Sequence, residues 1–410
     1  MTSRTEDGFI DLMDPDNFVD RMPWEELDRL RETHPVYRHP EEGRDGFWVV
    51  TRYDDVVQVS RHPEIFSSYE DGALLLKREG TEEERQESLE QQRLMMLNMD
   101  PPEHTKLRAL VQRAFTPRTI NRLEERLRKI TANIVDRALA QGEGNFVEDV
   151  AAELPLEAIA ELMGVPREDR RKIFDWSNRL VGADDPEFQV GQTEAREAAT
   201  EMFVYANTMA EEKKACPADD LVSKLLTSEV DGDQLSELEF DMFFMLLAVA
   251  GNETTRNAIS HGLLAFHDHP DQWELFKRER PSETMADEVV RWATPVMHFQ
   301  RTALQDTEIS GQTIKKGERV AINYASANRD PEVFDDPYTF DVTRDPNPHI
   351  GFGGGGPHFC LGANLARMEI QIMFETIADR IPNIELTGEP RRLRSMFLNA
   401  IKDIPVRYAT

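Results

Sequence analysis

The stretch that decides the fold of this chain is Gly351-Phe352-Gly353-Gly354-Gly355-Gly356-Pro357-His358-Phe359-Cys360-Leu361-Gly362. Four consecutive glycines form neither a good helix nor a good strand, because glycine loses the most backbone freedom on ordering. They predict a loop that runs close against something flat. Residues 362–370 then have a helical pattern, so the cysteine is predicted to stand where a glycine loop enters a helix.

A cysteine at such a junction has a defined chemistry. The free backbone N–H groups and the positive end of the helix dipole stabilise a thiolate. A shielded thiolate with backbone donors aimed at its sulfur is what a haem-thiolate iron requires. The competing interpretation is that Cys360 is a buried structural cysteine, which is the commoner fate of a lone cysteine.

The same stretch resembles the haem-binding loop of the cytochrome P450 monooxygenases. His358 lies two residues before the cysteine and Gly362 two residues after it, as in that family. The aromatic residue of the family pattern lies seven residues before the cysteine, whereas Phe352 lies eight before it, so this loop is one residue longer. The resemblance implies that Cys360 is the iron ligand and that His358, Phe352 and Gly362 belong to the haem-binding site.

A second motif opens a predicted helix at Pro101 and Pro102, which suit a helix start. His104 and Arg108 are four residues apart and share one helix face, where together they can bind a pair of carboxylates. Without other evidence, such a pair is more often a solvated surface. In the resembled family an HxxxR pair holds a haem propionate, and the resemblance assigns the second propionate to Arg301.

Residues 242–257 are apolar nearly all round, which predicts a buried central helix. A buried carboxylate beside a hydroxyl is costly unless it is paired, so Glu253 and Thr254 are either functional or mark where the helix leaves the core. Ala250 falls on the same face, and Gly251 removes a side chain where a flat ligand could lie. The segment resembles the acid–alcohol motif of the family, which implies that Glu253 and Thr254 relay protons with water.

A third motif, Glu288 and Arg291, has the spacing of an ion pair on a helix. The spacing has little weight in a chain that is 30% charged; its position between the central helix and the cysteine loop is what counts. The resemblance implies a buried structural triad with Arg344.

Length and composition limit the number of domains and the fold class. The chain has 410 residues with 40% hydrophobic content, and it contains no low-complexity linker or internal repeat. We expect one domain over residues 1–410, mainly α with small β-sheets. The resemblance implies a haem between the central distal helix and the proximal cysteine-loop helix. Strands are predicted at 36–39 and 47–51, a charged irregular segment that could form a lid at 67–90, and amphipathic helices over 119–215.

Charge and cysteine usage exclude some functions. The formal net charge of −29 argues against nucleic acid and anionic membranes as partners. The chain has two cysteines, which suggests a reducing compartment rather than a disulfide framework. No apolar run marks a signal peptide or membrane anchor, so we expect a cytoplasmic protein.

Within the family, residues 252–257, 271–275 and 291–296 look most like bacterial steroid side-chain hydroxylases, and the cysteine loop looks equally like methyl-branched-lipid omega-hydroxylases. This predicts hydroxylation of the terminal methyl of a sterol side chain or branched lipid, an apolar small molecule. The residues expected to line the distal pocket are Leu74, Leu75, Val249, Val296, Met297, Met396 and Phe397.

Two alternatives remain open at this point: a hydroxylase of terpenoids such as a monoterpene alcohol, and a haem-based sensor or electron carrier without turnover. Neither a sensor nor a carrier needs the Glu253–Thr254 pair. The resemblance implies heme b, with electrons from NAD(P)H delivered through a ferredoxin reductase and a ferredoxin to a monomeric enzyme. Lys106, Arg113 and Arg367 are candidates for a basic docking patch on the cysteine side.

Overall fold

The structure is a computed structural model that describes residues 3–75, 81–112, 115–181, 185, 187, 192–227, 229 and 234–409. The helices are α1 Trp24–Thr33, α2 Tyr53–Arg61, α3 Glu82–Gln92, α4 Glu103–Gln112, α5 Pro117–Gln141, α6 Glu153–Met163, α7 Arg170–Val181, α8 Gln192–Ala215, α9 Leu221–Thr227, α10 Glu237–Asp268, α11 Pro270–Glu279, α12 Ser282–Ala293, α13 Tyr324–Ala327 and α14 Ala363–Arg380. The strands are β1 Val36–Glu41, β2 Arg44–Val50, β3 Phe66–Ser67, β4 Glu143–Asn145, β5 His298–Ala303, β6 Thr307–Ile309, β7 Gln312–Ile314, β8 Arg319–Asn323, β9 Asn383–Leu386, β10 Arg391–Arg392, β11 Ile401–Asp403 and β12 Pro405–Ala409. The predicted class, mainly α with small sheets, is confirmed.

The largest sheet has the strand order β1-β2-β8-β5-β3. Strands β1 and β2 form the antiparallel hairpin that the sequence predicted, and β8 adds to β2 in parallel. A three-stranded sheet, β4-β12-β9, and two small hairpins, β6-β7 and β10-β11, complete the described sheets. The tip between β10 and β11 lies against the end of α12, where Asn399 donates to the carbonyls of Ala293 and Pro295.

The central helix α10 is longer than predicted. It starts at a capping box, in which the Ser236 side chain and Glu239 satisfy each other's backbone N–H groups, and it runs for 32 residues to Asp268. Glu253 and Thr254 therefore lie inside the helix and do not mark its end. Since α10 packs against α6, α8, α12 and α14, its polar segment is carried into the middle of the protein.

The charged segment 67–90 was predicted to be irregular, and this is wrong for its second half. Helix α3 begins at Glu82 behind a capping box formed by Thr81 and Glu84. Its residues are polar on almost every side, and Leu89 is the only buried one among its described side chains, so it has no apolar stripe for a sequence pattern to show. Residues 76–80 of this segment lie outside the described residues.

Strand β4 was not predicted, since its three residues follow the helix α5 at a Gly-containing break. It forms by pairing with β12 near the end of the chain, with Asn145 opposite Pro405. Within the part of the chain that the structure describes, no helix is long and apolar enough to cross a membrane.

Candidate active site

Cys360 lies at the predicted junction between the glycine loop and a helix. Helix α14 begins at Ala363, and Gly362 is its N-cap residue. The N–H groups of Gly362 and Ala363 donate hydrogen bonds to the sulfur, and the N–H of Cys360 itself donates to the carbonyl of Phe352 at 2.9 Å. Cys360 is exposed in this structure, which contradicts the competing interpretation of a buried structural cysteine. Desolvation by the surrounding protein atoms raises the pKa of the thiol, while the two N–H groups lower it. The sulfur is thus held by donors suited to a thiolate.

The glycine loop owes its composition to packing against α2. Gly353, Gly355 and Gly356 have positive φ angles, which side chains rarely tolerate. A Cβ atom at Gly356 would lie 2.3 Å from the Ser60 carbonyl oxygen, and one at Gly354 would lie 2.7 Å from the Ser60 hydroxyl. The sequence predicted a close approach to something flat; among the described residues the close neighbour is the end of α2.

Arg367, on the first turns of α14, lies beneath the cysteine loop. Its guanidinium stacks 4.6 Å from the centre of the Phe352 ring, and its Nε lies 2.6 Å from Asp287 Oδ1. It also lowers the pKa of the Cys360 thiol. Its charge is therefore paired with Asp287, while 30% of its side chain is exposed, and its role in docking a partner stays a prediction. Arg113 lies outside the described residues.

Two imidazoles pack against each other at a tilt of 46° beside the cysteine loop. The ring centres of His104 and His358 are 4.3 Å apart, and His358 Nε2 lies 3.1 Å from the Ser68 hydroxyl. Burial, reinforced by Arg108, lowers the pKa of His104 to about 4, and burial also holds the pKa of His358 well below its usual value. Both rings are neutral near pH 7. The Nδ1 atom of His104 has no hydrogen-bond partner among the described residues.

Two arginines lie on the same side with unused donors. Arg301 is only 3% exposed, donates to the carbonyl of Gln300 at 2.7 Å, and has no carboxylate within ion-pair distance in the described chain. Arg108 donates to the carbonyl of Phe359 at 2.7 Å. A buried guanidinium without a carboxylate is costly, so Arg301 fits a ligand that brings its own acidic groups, and the partly accessible Arg108 can contribute to the same site. The two propionates of a haem would supply them.

The face of α10 around Ala250 is accessible although most of the helix nearby is buried. Ala250 is exposed and Thr254 is partly accessible, and the Thr254 hydroxyl donates to the Ala250 carbonyl at 2.8 Å, as its spacing predicted. The structure gives Gly251 a packing reason that the sequence did not predict. A Cβ atom at Gly251 would lie 2.4 Å from Cδ1 of Ile159, so this glycine lets α6 approach α10. Contact of Gly251 with a flat ligand stays a prediction.

Glu253 is buried and only half satisfied. One carboxylate oxygen accepts from the Arg256 guanidinium, while Oε1 has no hydrogen-bond partner among the described residues. Burial raises the pKa of Glu253, and Arg256 opposes that rise. Arg256 itself reaches Asn178 in the wall of a surface cleft of about 570 Å³. Sequence reasoning missed Arg256, although its position three residues after Glu253 on a helix was the signal.

The Glu288–Arg291–Arg344 cluster has the geometry that the resemblance implied. Two hydrogen bonds of 2.7 Å join the Arg291 guanidinium to the Glu288 carboxylate, and both side chains are fully buried. Arg344 Nε lies 3.2 Å from Glu288 Oε2. Arg291 also donates to the carbonyls of Asn328 and Pro337, at 3.0 and 2.9 Å. These contacts fix the segment that leads into the cysteine loop.

The predicted pocket residues divide into two sets. In each of three neighbouring pairs, one side chain is partly accessible and the other is buried, because successive side chains of a non-helical backbone point to different sides. The partly accessible residues are Leu74, Val296 and Phe397, together with Val249 on α10. The buried residues are Leu75, Met297 and Met396, which pack with Phe9, Phe18 and Leu27 in a core under the N-terminal segment. This burial removes Leu75, Met297 and Met396 from the pocket lining.

These residues fit a haem. Two backbone N–H groups donate to the Cys360 sulfur, and the central helix α10 has an accessible face around Ala250. Beside the cysteine loop lie the buried Arg301, which has no carboxylate partner among the described residues, and His104, whose Nδ1 has no hydrogen-bond partner there. Gly362 agrees with this arrangement, because a Cβ atom there would meet no described protein atom within 4 Å.

Comparison with known proteins gives the family. The cytochrome P450 family profile matches residues 283–381. The chain is 53% identical to a steroid C26-monooxygenase of Rhodococcus jostii (strain RHA1), over 98% of this chain and 85% of that protein. It is 42% identical to a methyl-branched lipid omega-hydroxylase of Mycobacterium tuberculosis (strain ATCC 25618 / H37Rv), over 89% of this chain and 85% of that protein. A Mycobacterium marinum cytochrome P450 solved in complex with pseudoionone matches with a TM-score of 0.87 and 40% identity, over 94% of each chain. With this likeness over nearly its whole length, the chain belongs to the cytochrome P450 family and is a monooxygenase.

Proposed function

We propose that this enzyme hydroxylates the terminal methyl group of a sterol side chain or of a methyl-branched lipid. The observation that carries the proposal is the character of the residues that are predicted to line the pocket and are partly accessible: Leu74, Val249, Val296 and Phe397 are all apolar. A long hydrocarbon gains about 25 cal/mol for each Å² of apolar surface it buries against such side chains. The names of the two relatives, a steroid C26-monooxygenase and a lipid omega-hydroxylase, support the same substrate class.

The haem of this family would be held by the Cys360 sulfur. Arg108 and Arg301, with the neutral His104 and His358, would bind the two propionates. Bound there as heme b, the cofactor supplies the oxygen chemistry, and its thiolate ligand favours O–O cleavage. The protein's own contribution is to exclude water and to orient the substrate chain along the apolar side chains.

Glu253 and Thr254 are suited to moving protons. Because burial raises the pKa of Glu253, the acid form of this side chain is available at a higher pH than for an exposed glutamate. The Thr254 hydroxyl donates its own proton to Ala250 and retains lone pairs that can accept from a water on the accessible side. We propose that protons reach Glu253 from the cleft that Arg256 lines and pass through water to Thr254.

Members of this family receive electrons from redox partners. We propose that NAD(P)H is the source here and that a ferredoxin reductase and a ferredoxin deliver the electrons to a monomeric, single-domain enzyme. These assignments, and the cytoplasmic location, rest on the sequence resemblance.

A terpenoid hydroxylase is the second candidate, favoured by the solved relative with bound pseudoionone. Haem absorbance titrations with a sterol, a methyl-branched fatty acid and a monoterpene alcohol distinguish the two, followed by product analysis with redox partners supplied. We expect the sterol or branched lipid to shift the spectrum most and to be oxidised at its terminal methyl. Tight binding of the monoterpene alone, or oxidation mainly at ring positions, would contradict the proposal.

A further inference from the structure

The tip between β10 and β11, residues 393–400, presents one of the accessible pocket side chains. Phe397 and Val296 belong to the same small apolar cluster and come from segments that run side by side. The Met297 N–H donates to the Phe397 carbonyl at 2.9 Å, and an antiparallel bridge joins Val296 to Leu398. The position of the Phe397 ring relative to Val296 is therefore set by how the tip is fastened to the segment after α12.

Asn399 fastens the tip with all of its polar groups. Its N–H donates to the Pro295 carbonyl at 2.9 Å, and its side-chain amide donates to the Ala293 carbonyl. Its side-chain oxygen accepts from Arg392 at 2.7 Å, and its carbonyl oxygen lies 3.0 Å from His261 Nε2. Asn399 is only 1% exposed. It joins the tip to the end of α12, to β10 and to α10 at once.

His261 supplies the link to the central helix. Burial and the nearby Arg392 charge lower the pKa of His261 to about 3, so its ring is neutral throughout the working range. Since Nε2 faces a carbonyl oxygen, this nitrogen carries the ring proton and donates it. The same helix carries Val249 and Thr254, so His261 ties the tip to the helix that bears the proton-relay residue.

We propose that Asn399 and His261 are positioning residues that decide which carbon of the substrate chain is oxidised, by holding Phe397 in register with Val296. This inference rests on the proposed function and goes beyond it. Adjacent carbons of a chain are about 1.5 Å apart, so a displacement of that size at the Phe397 ring exchanges the terminal carbon for the penultimate one. Asn399 contacts the backbone and Arg392 and has no accessible surface to offer a substrate.

The test compares Asn399→Ala and His261→Phe, which each remove ties of the tip, with His261→Gln, which keeps a side-chain N–H donor. Asn145→Ala is the matched control: it deletes side-chain bonds to the Val147 and Ile404 N–H groups, outside the tip. Two measurements are made on the haem-loaded proteins. The first is hydrogen–deuterium exchange of residues 393–400 without substrate. The second is the ratio of penultimate to terminal product from a branched lipid.

We expect Asn399→Ala and His261→Phe to speed exchange in the tip and to raise the product ratio by about tenfold to 100-fold, since a misplacement of about 1 Å can cost about 100-fold in rate. His261→Gln, which keeps the donor, should leave the exchange rate of the tip and the product ratio near their wild-type values. Asn145→Ala should also leave both near wild type. Unchanged exchange in the tip, or an equal product shift in Asn145→Ala, would overturn the positioning role. If the wild-type enzyme gives no terminal product, the proposed function fails separately, and the exchange measurement still decides whether Asn399 and His261 hold the tip.

Discussion

Gly251→Ala separates two explanations for the glycine at position 251: close packing against Ile159, and space for a flat ligand. In the structure the new methyl group would lie 2.4 Å from Cδ1 and 2.6 Å from Cγ1 of Ile159, well inside van der Waals contact. Overpacking of a core costs about 1–3 kcal/mol, while replacing glycine by alanine inside a helix gains about 1 kcal/mol. The substitution should therefore destabilise the protein by roughly 0–2 kcal/mol.

We expect Gly251→Ala to change stability in the opposite direction when Ile159 is shortened. Ile159→Ala removes both clashing carbons and leaves the Cβ atom of residue 159 at 4.0 Å, an ordinary contact. Ile159→Ala alone should cost about 2–5 kcal/mol, as such core truncations do. In that background Gly251→Ala should stabilise the protein by about 1 kcal/mol, because only the gain in helix propensity remains.

The test is urea denaturation of the haem-loaded wild type, the two single variants and the double variant, followed by far-UV circular dichroism. The midpoints give the effect of Gly251→Ala on stability in each background. A double-mutant cycle then gives a coupling of about 1–3 kcal/mol between residues 159 and 251. Additivity within about 0.5 kcal/mol would refute the packing explanation. If Gly251→Ala instead abolished haem incorporation, both alone and in the Ile159→Ala background, the ligand explanation from the sequence would be right.

Three further predictions concern the chemistry. Cys360→Ser should abolish the thiolate-type absorbance of the ferrous carbonyl complex, and survival of that band would contradict iron ligation by Cys360. Thr254→Ala should keep substrate binding but release reducing equivalents as hydrogen peroxide, measured against NADH consumed; unchanged coupling would remove Thr254 from the relay. Arg256→Gln deletes the cation that opposes the burial effect, so the pKa of Glu253 should rise further and its protonated-carboxyl infrared band should persist to a higher pH. A band that titrates at the wild-type pH, with Glu253→Gln as the control that lacks it, would show that Arg256 has no influence.

Short-range relations in this chain could be predicted from the sequence. Pairs on one helix, such as Glu288 with Arg291, are set by the helical repeat and need no knowledge of the rest of the fold. The loop-to-helix junction at Cys360 was equally local, since glycines precede the cysteine and a helical pattern follows it. Placing Arg344 on Glu288 depended on the family resemblance, because nothing in the spacing connects them.

What could not be predicted depends on residues far away in sequence. The reason for Gly251 is Ile159 on another helix, and β4 exists only because β12 pairs with it. The choice between Leu74 and Leu75 as the accessible side chain depends on a core built from the N-terminal segment. A sequence-based list of apolar pocket residues therefore contains too many, because it includes the buried neighbour of each accessible residue.

The contact between the glycine loop and α2 has a consequence for how the protein assembles. Ser60 and Gly356 are far apart in the chain, and bringing such distant segments together carries a loop-closure cost. A chain emerging from the ribosome carries α2 long before the cysteine exists. We expect the iron-ligating loop to take its final shape only after synthesis has passed Cys360 and the loop has packed against α2.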